Sequence, residues 1–281
     1  MYKTILVYVD GSPLQDSRLR AAARLAAEHD AHLVGSAATG ITWMNFALLA
    51  GSAGAPVPAV DLDGLRDATL RRLDAFAEQA RRLGVGSCET RLIEDVAGYG
   101  LAMHARYADL VVLSQDHGDG TPVQLPRLPE LLALHTPRPV LVVPPGYRDA
   151  PIPGTVVAGW DGRLPALRAL DAALPLLRRA AAVKLAIVNP DPLSGPGGNE
   201  HGAEPGADLA RYLARHGVAV EVVVERTTAT VGKTLSGLAR DCGAGLMVCG
   251  AYGHSRLHEW MLGGATRELL ERAPVPLLIA H

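Results

Sequence analysis

The chain has 281 residues, 48% hydrophobic, 20% charged and only 4% aromatic, with a formal net charge of −2. That length suits one large domain or two ordinary ones, with a core built mostly from Ala, Leu and Val. There is no basic excess to hold a nucleic-acid backbone by counterion release, and no apolar run approaches the ~18 residues of a membrane span, so neither is an expected partner.

In chain order, the first residues, Met1 to Val7, enter a strand-like run at once. They show no basic region, signal-like apolar stretch or cleavage site, which points to a reducing cytoplasm. Strands are predicted at about 4–9, 32–37, 87–92, 109–113 and 140–143, with helical patterns between them, including about 14–29 and 62–83. A Pro/Gly-rich linker at about 144–154 breaks the pattern. It then starts again: strands at about 155–159, 184–188, 219–224, 246–249 and 277–280, and a helix at about 165–180.

The second half repeats the first. Thr4-Ile5-Leu6-Val7-Tyr8-Val9-Asp10-Gly11 matches Thr155-Val156-Val157-Ala158-Gly159-Trp160-Asp161-Gly162, and each is followed by an Ala/Leu/Arg-rich amphipathic stretch. Thr136-Pro137-Arg138-Pro139 and Ala273-Pro274-Val275-Pro276 precede the two closing strands, with prolines where a helix stops and a strand begins. The reading is two tandem α/β domains, 1–146 and 152–281, each a doubly wound five-stranded parallel sheet. In such sheets ligands sit outside the carboxyl ends of the strands, at the topological switch point. An open edge invites pairing, so the halves are expected to pack as an intramolecular pseudo-dimer through their closing strands. The loop at about 40–59, with Trp43, Met44, Phe46, Leu48 and Leu49, is a candidate lid or homodimer contact.

The strongest local feature follows the strand ending at Cys249: Gly250, Gly253, Gly263 and Gly264 punctuate a stretch that opens a helix. Glycines let a backbone approach a ligand closely, and a helix N-terminus suits phosphate. The same glycines also fit a tight turn with close helix packing, and spacing alone leaves both readings open.

Gly250-x2-Gly253-x9-Gly263 resembles the G-x2-G-x9-G-[S/T] loop of ATP-binding universal stress proteins. Strand-ending Asp161, the x-Pro-x-Pro elements and the tandem layout resemble that family too, over nearly the whole chain. The resemblance implies a Rossmann-like, adenine nucleotide α-hydrolase-like fold and a stress-response regulator binding ATP or another adenine nucleotide in the second domain. Asp161 would then face the ribose, Val188 would offer backbone groups to adenine, and Gly250, Gly253, Gly263 and Gly264 would wrap ribose and phosphates. The family's Ser/Thr is Gly264 here, with Thr266 two residues later, so a hydroxyl to phosphate is lost or displaced while the Gly264 N–H remains. No dedicated catalysis is implied, at most slow ATP hydrolysis. The rival readings are a non-nucleotide dimerisation or interaction module of the same fold, and an enzyme of the wider fold group.

The first half lacks the loop. Leu113 is followed by Ser114-Gln115-Asp116-His117-Gly118-Asp119, which puts two carboxylates where phosphate would lie. Asp10, on its own, reads as a turn residue capping the next helix.

Other features have plainer readings. Gly232-Lys233-Thr234 ends like a P-loop, but Thr227 stands where the first glycine is required, so Lys233 reads as a solvated first-turn residue. His254 and His258 have i, i+4 spacing without a third or fourth zinc ligand nearby. Glu94-Asp95 and Asp61-x-Asp63 fit helix capping better than acid–base chemistry. Ser12, Ser114 and Ser236 have no nucleophile-elbow setting. Cys88, Cys242 and Cys249 form neither a disulfide framework nor a C-x-x-C metal motif, and Cys249 reads as a buried small hydrophobe.

Overall fold

The computed structural model describes residues 1–41, 62–115, 127–190, 204–251 and 264–281. The first half runs β1 (Thr4–Tyr8), α1 (Gln15–His29), β2 (His32–Ala38), α2 (Leu62–Arg82), β3 (Cys88–Ile93), α3 (Ala97–Ala105), β4 (Leu110–Ser114), α4 (Leu128–His135) and β5 (Val140–Val143). The second runs β6 (Thr155–Gly159), α5 (Leu164–Leu177), β7 (Ala182–Val188), α6 (Ala207–Arg215), β8 (Glu221–Glu225), α7 (Val231–Asp241), β9 (Ala244–Gly250), α8 (Ala265–Arg272) and β10 (Leu277–Ala280).

Side chains of a strand alternate between faces, so a strand apolar throughout must be covered on both. The first half shows this directly. Ile5, Val7, Leu110, Val112, Leu141 and Val143 pack into a core with α1 and α2. Leu6, Val111, Leu113, Val140 and Val142 pack into a second core with α3 and α4. The second half repeats the arrangement, with α5 and α6 on the first face and α7 and α8 on the other.

The strands form one ten-stranded sheet in the order β3-β2-β1-β4-β5-β10-β9-β6-β7-β8. Every neighbouring pair is parallel except β5 and β10, which meet antiparallel with Leu277 opposite Val142, Leu278 opposite Leu141 and Ile279 opposite Val140. The joint is therefore through the closing strands, and each half closes the other's edge. The prolines before those strands cost the ladder nothing, because it is their carbonyls that are used: Pro139 accepts from the Val111 N–H at 3.0 Å and Pro276 from the Met247 N–H at 2.9 Å. Polar ties also cross the joint. The Tyr2 hydroxyl donates to the Ala172 carbonyl at 2.8 Å, and Arg127 pairs with Glu271 at 2.8 Å. Among the described residues no helix is long and apolar enough to cross a membrane.

Candidate functional site

In each half the chain steps outward from its first strand in one direction, then returns to the other side. The switch points therefore lie between β1 and β4 and between β6 and β9. In parallel sheets of this kind ligand clefts form there, outside the carboxyl ends of the strands. The two clefts carry the same aspartate and different neighbours.

In the second half, Asp161 lies just beyond β6 and is exposed. Its Oδ1 accepts from the Arg163 N–H at 3.0 Å, an Asx turn into α5. Val188, half-buried, ends β7. The next residue, Asn189, has φ of 49° and ties the neighbouring loop down: its side chain accepts from the Thr227 N–H at 2.8 Å and donates to the Thr227 carbonyl at 2.9 Å. Gly250 ends β9 beneath the first turn of α5, where a Cβ would stand 2.4 Å from Ala166 N and 2.7 Å from Pro165 C. Packing against α5 thus accounts for this glycine, the plainer of the two readings that spacing leaves open.

Gly264 is the N-cap of α8, and a glycine brings no side chain to cap the helix. Thr266 is buried in the first turn of α8. Gly253 and Gly263 lie outside the described residues, as do His254 and His258. Cys249 is buried, and burial pushes its thiol up to about 12, which suits a small hydrophobe rather than a reactive thiolate.

In the first half the cleft contains an arginine. Arg18, on α1, is 2% exposed. Its Nη2 donates to Asp10 Oδ1 at 2.7 Å, and its Nη1 donates to Ser114 Oγ at 3.1 Å. The guanidinium carbon lies 5.5 Å from the Tyr8 ring centroid. Ser114 Oγ donates in turn to the Leu14 carbonyl at 3.1 Å. Asp10 Oδ1 also accepts from the Ser12 N–H at 2.9 Å. Burial alone would raise the Asp10 carboxyl, but the Arg18 charge and hydrogen bond, helped by Ser12, outweigh it and hold the group below its ordinary range. Asp10 is thus an Asx-turn residue and an ion-pair partner rather than the cap of α1, whose N-cap is Leu14 with no side-chain bond.

The sequence model of the Universal stress protein family matches residues 1–144 and again 154–281. The chain belongs to the universal stress protein family. A crystal structure of a universal stress protein from Archaeoglobus fulgidus superposes with a TM-score of 0.71 at 14% identity, covering 99% of this chain and 95% of that one. A functionally unknown protein from Pseudomonas aeruginosa superposes with a TM-score of 0.58 at 16% identity, covering 99% and 92%. At these identities the likeness shows the fold. No curated protein matches the chain.

Within this tandem universal stress fold the remaining sequence features find places. Lys233 is exposed in the first turn of α7, where Thr230 is the N-cap and accepts from its N–H at 3.3 Å. The P-loop-like triplet is therefore a capped helix start. Thr230 Oγ1 donates to Glu268 on α8 at 2.6 Å, a tie that the sequence reading missed. Glu94 pairs with Arg66 at 2.9 Å instead of capping α3, and Asp95 Oδ1 accepts from the adjacent Val96 N–H at 2.6 Å. His104 meets Ser36 Oγ at 3.0 Å, the serine fully buried on β2. Among the described residues no group of three or more metal-ligating side chains gathers.

Sequence reasoning also missed Arg18, although a signal was present. Ala21, Ala22 and Leu25, three, four and seven residues on, are all buried, so Arg18 stands on the core-facing stripe of α1. A charge there asks for a buried partner.

Proposed function

We propose that this universal stress protein binds ATP or another adenine nucleotide in its second domain, residues 152–281, and acts as a cytoplasmic stress-response regulator with at most slow ATP hydrolysis. The observation that carries the reading is the contrast between the clefts. In the second, Ala169 and Gly250 stand where the first places Arg18 and Ser114, so no long side chain from those positions engages Asp161. A carboxylate at the end of the first strand suits a ribose hydroxyl, which can donate to it. The start of α8, with a glycine at its N-cap, suits phosphate through the Gly264 and Ala265 N–H groups and the positive end of the helix. Val188 offers backbone groups for adenine, and Gly250, Gly253 and Gly263 complete the wrapping. With Thr266 buried, the phosphate contact falls to backbone N–H groups rather than to a hydroxyl.

The signal would leave through α8. Its first turn adjoins the proposed phosphate position, and its last turn carries Glu271, which pairs with Arg127 of the other half. A nucleotide that favours one placement of α8 would shift the population of states at the domain joint. A whole-chain homodimer is part of this reading, and the suggested contact near Trp43–Leu49 lies outside the described residues.

The second reading, an interaction module without nucleotide, is favoured by Gly250, whose missing side chain is explained by packing alone. Mass spectrometry of small molecules released from freshly purified, denatured protein separates the two, with ATP titration of stripped protein. One adenine nucleotide per chain is expected. Gly253→Val should abolish binding, and Asp161→Ala should weaken it by about 10-fold or more, the scale of a lost hydrogen bond to a charged group. No binding at millimolar ATP would leave the interaction module standing, and unchanged binding in Gly253→Val would remove the assigned site.

A further inference from the structure

The guanidinium of Arg18 spans the first switch point. It bonds Asp10 just beyond β1 and Ser114 at the end of β4, the two strands that flank the cleft. What remains is a cleft of about 210 Å³, lined by Tyr8, Asp10, Ser12, Arg18, Ser114 and Gln115 among others. Eight residues after the second aspartate, the position of Arg18 is taken by Ala169, fully buried on α5. A methyl group there cannot reach Asp161.

We infer that Arg18 and Ala169 decide which of the two clefts accepts a ligand, Arg18 acting as a built-in cation that closes the first. An incoming ribose would need Asp10, whose Oδ1 already accepts from Arg18 and from the Ser12 N–H. Turning the whole carboxylate over to a ribose means breaking a pair whose arginine is 2% exposed, which leaves the Arg18 charge buried and uncompensated. Arg18 is also a weak attractor for phosphate, because its pair with Asp10 is neutral overall and its side chain is buried, the Nε included. The first domain therefore keeps its aspartate engaged without a ligand, although a small cleft remains beside it. The part of this inference that concerns Ala169 rests on the nucleotide reading above; the part that concerns Arg18 does not.

Two variants of the full chain test it. Arg18→Ala should melt about 5–10 °C below the parent, as expected for breaking a buried ion pair. Millimolar methylguanidinium should recover part of that loss by occupying the vacated place, and should not raise the melting temperature of the parent. A folded Arg18→Ala protein that gains nothing from methylguanidinium overturns the inference, as does a parent that gains as much. An alanine variant that folds only on adding methylguanidinium supports it, and one that stays unfolded passes the decision to the second variant. Ala169→Arg places the same cation eight residues after Asp161. With its circular dichroism retained, it should lose ATP affinity at least about tenfold, a difference of about 1.4 kcal/mol. Unchanged affinity in the folded variant overturns the inference. Should the parent itself bind no ATP, the nucleotide reading falls and methylguanidinium rescue alone decides the role of Arg18.

Discussion

The two switch points start from the same local design and end in opposite states. Each has a strand followed closely by Asp-Gly, an Asx turn through the aspartate, and a helix that returns across the sheet. In the first, Leu14 precedes the helix, the Ser114 side chain fits under the Leu14 carbonyl, and Arg18 reaches the aspartate. In the second, α5 begins earlier, at Leu164, which aligns with Pro13, and its backbone comes down on Gly250. The difference teaches that a ligand-type glycine and a packing glycine are not alternatives at Gly250. A helix start brought that close to the sheet needs the glycine whatever else the cleft holds.

Exchanging the residues at this position sharpens the comparison. Gly250→Ser should destabilise the second domain most, by about 2–4 kcal/mol, because the new Cβ meets helix backbone that cannot rotate away. The reverse exchange, Ser114→Gly, removes the hydrogen bonds to Arg18 and Leu14 without a clash and should cost about 1–2 kcal/mol. Chemical denaturation of both variants checks the ranking. Equal costs would mean that α5 slides freely and that Gly250 is conserving space for something other than the helix.

The fold was largely legible because strands buried on both faces must be written as continuous apolar runs, and these are hard to mistake at this spacing. A joint through the closing strands followed from a general argument about open edges, and β5 and β10 form it; the antiparallel sense of their pairing is what the structure adds. Of the candidate site, the structure describes only part. Asp161, Val188, Gly250 and Gly264 gather at strand ends and a helix start, where a parallel sheet puts its ligands. The sequence reading traced the difference in the first half to Asp116 and Asp119, which lie outside the described residues, whereas the described side chains point to Arg18. An arginine inside an Ala-rich stretch looks like a surface residue until the helical phase is set against its neighbours. Glu268 was unreadable for another reason: its partner Thr230 is 38 residues away, and only the packing of α8 on α7 joins them.

The smallest expected effect concerns a pair that the first domain has and the second lacks. His104 sits against the buried Ser36, and in the second half the residue aligned with Ser36 is Ala186. Burial disfavours the charged imidazole, and Arg91 adds to this while Glu89 opposes it, so the folded-state pKa lies below its ordinary value. The unfolded chain therefore binds the proton first. His104 contributes stability that is present above about pH 6.5, its unfolded value, and that is lost as pH falls through the folded pKa. His29 is lowered in the same way, by burial first and then by Arg179, so it adds to the same acid loss. Denaturation midpoints from pH 7.5 down to pH 5 should fall in the parent and fall less in His104→Asn, which keeps a polar partner near Ser36 without titrating. A parallel fall in both would place the acid sensitivity on His29 and leave the Ser36 contact a packing detail of β2 and α3.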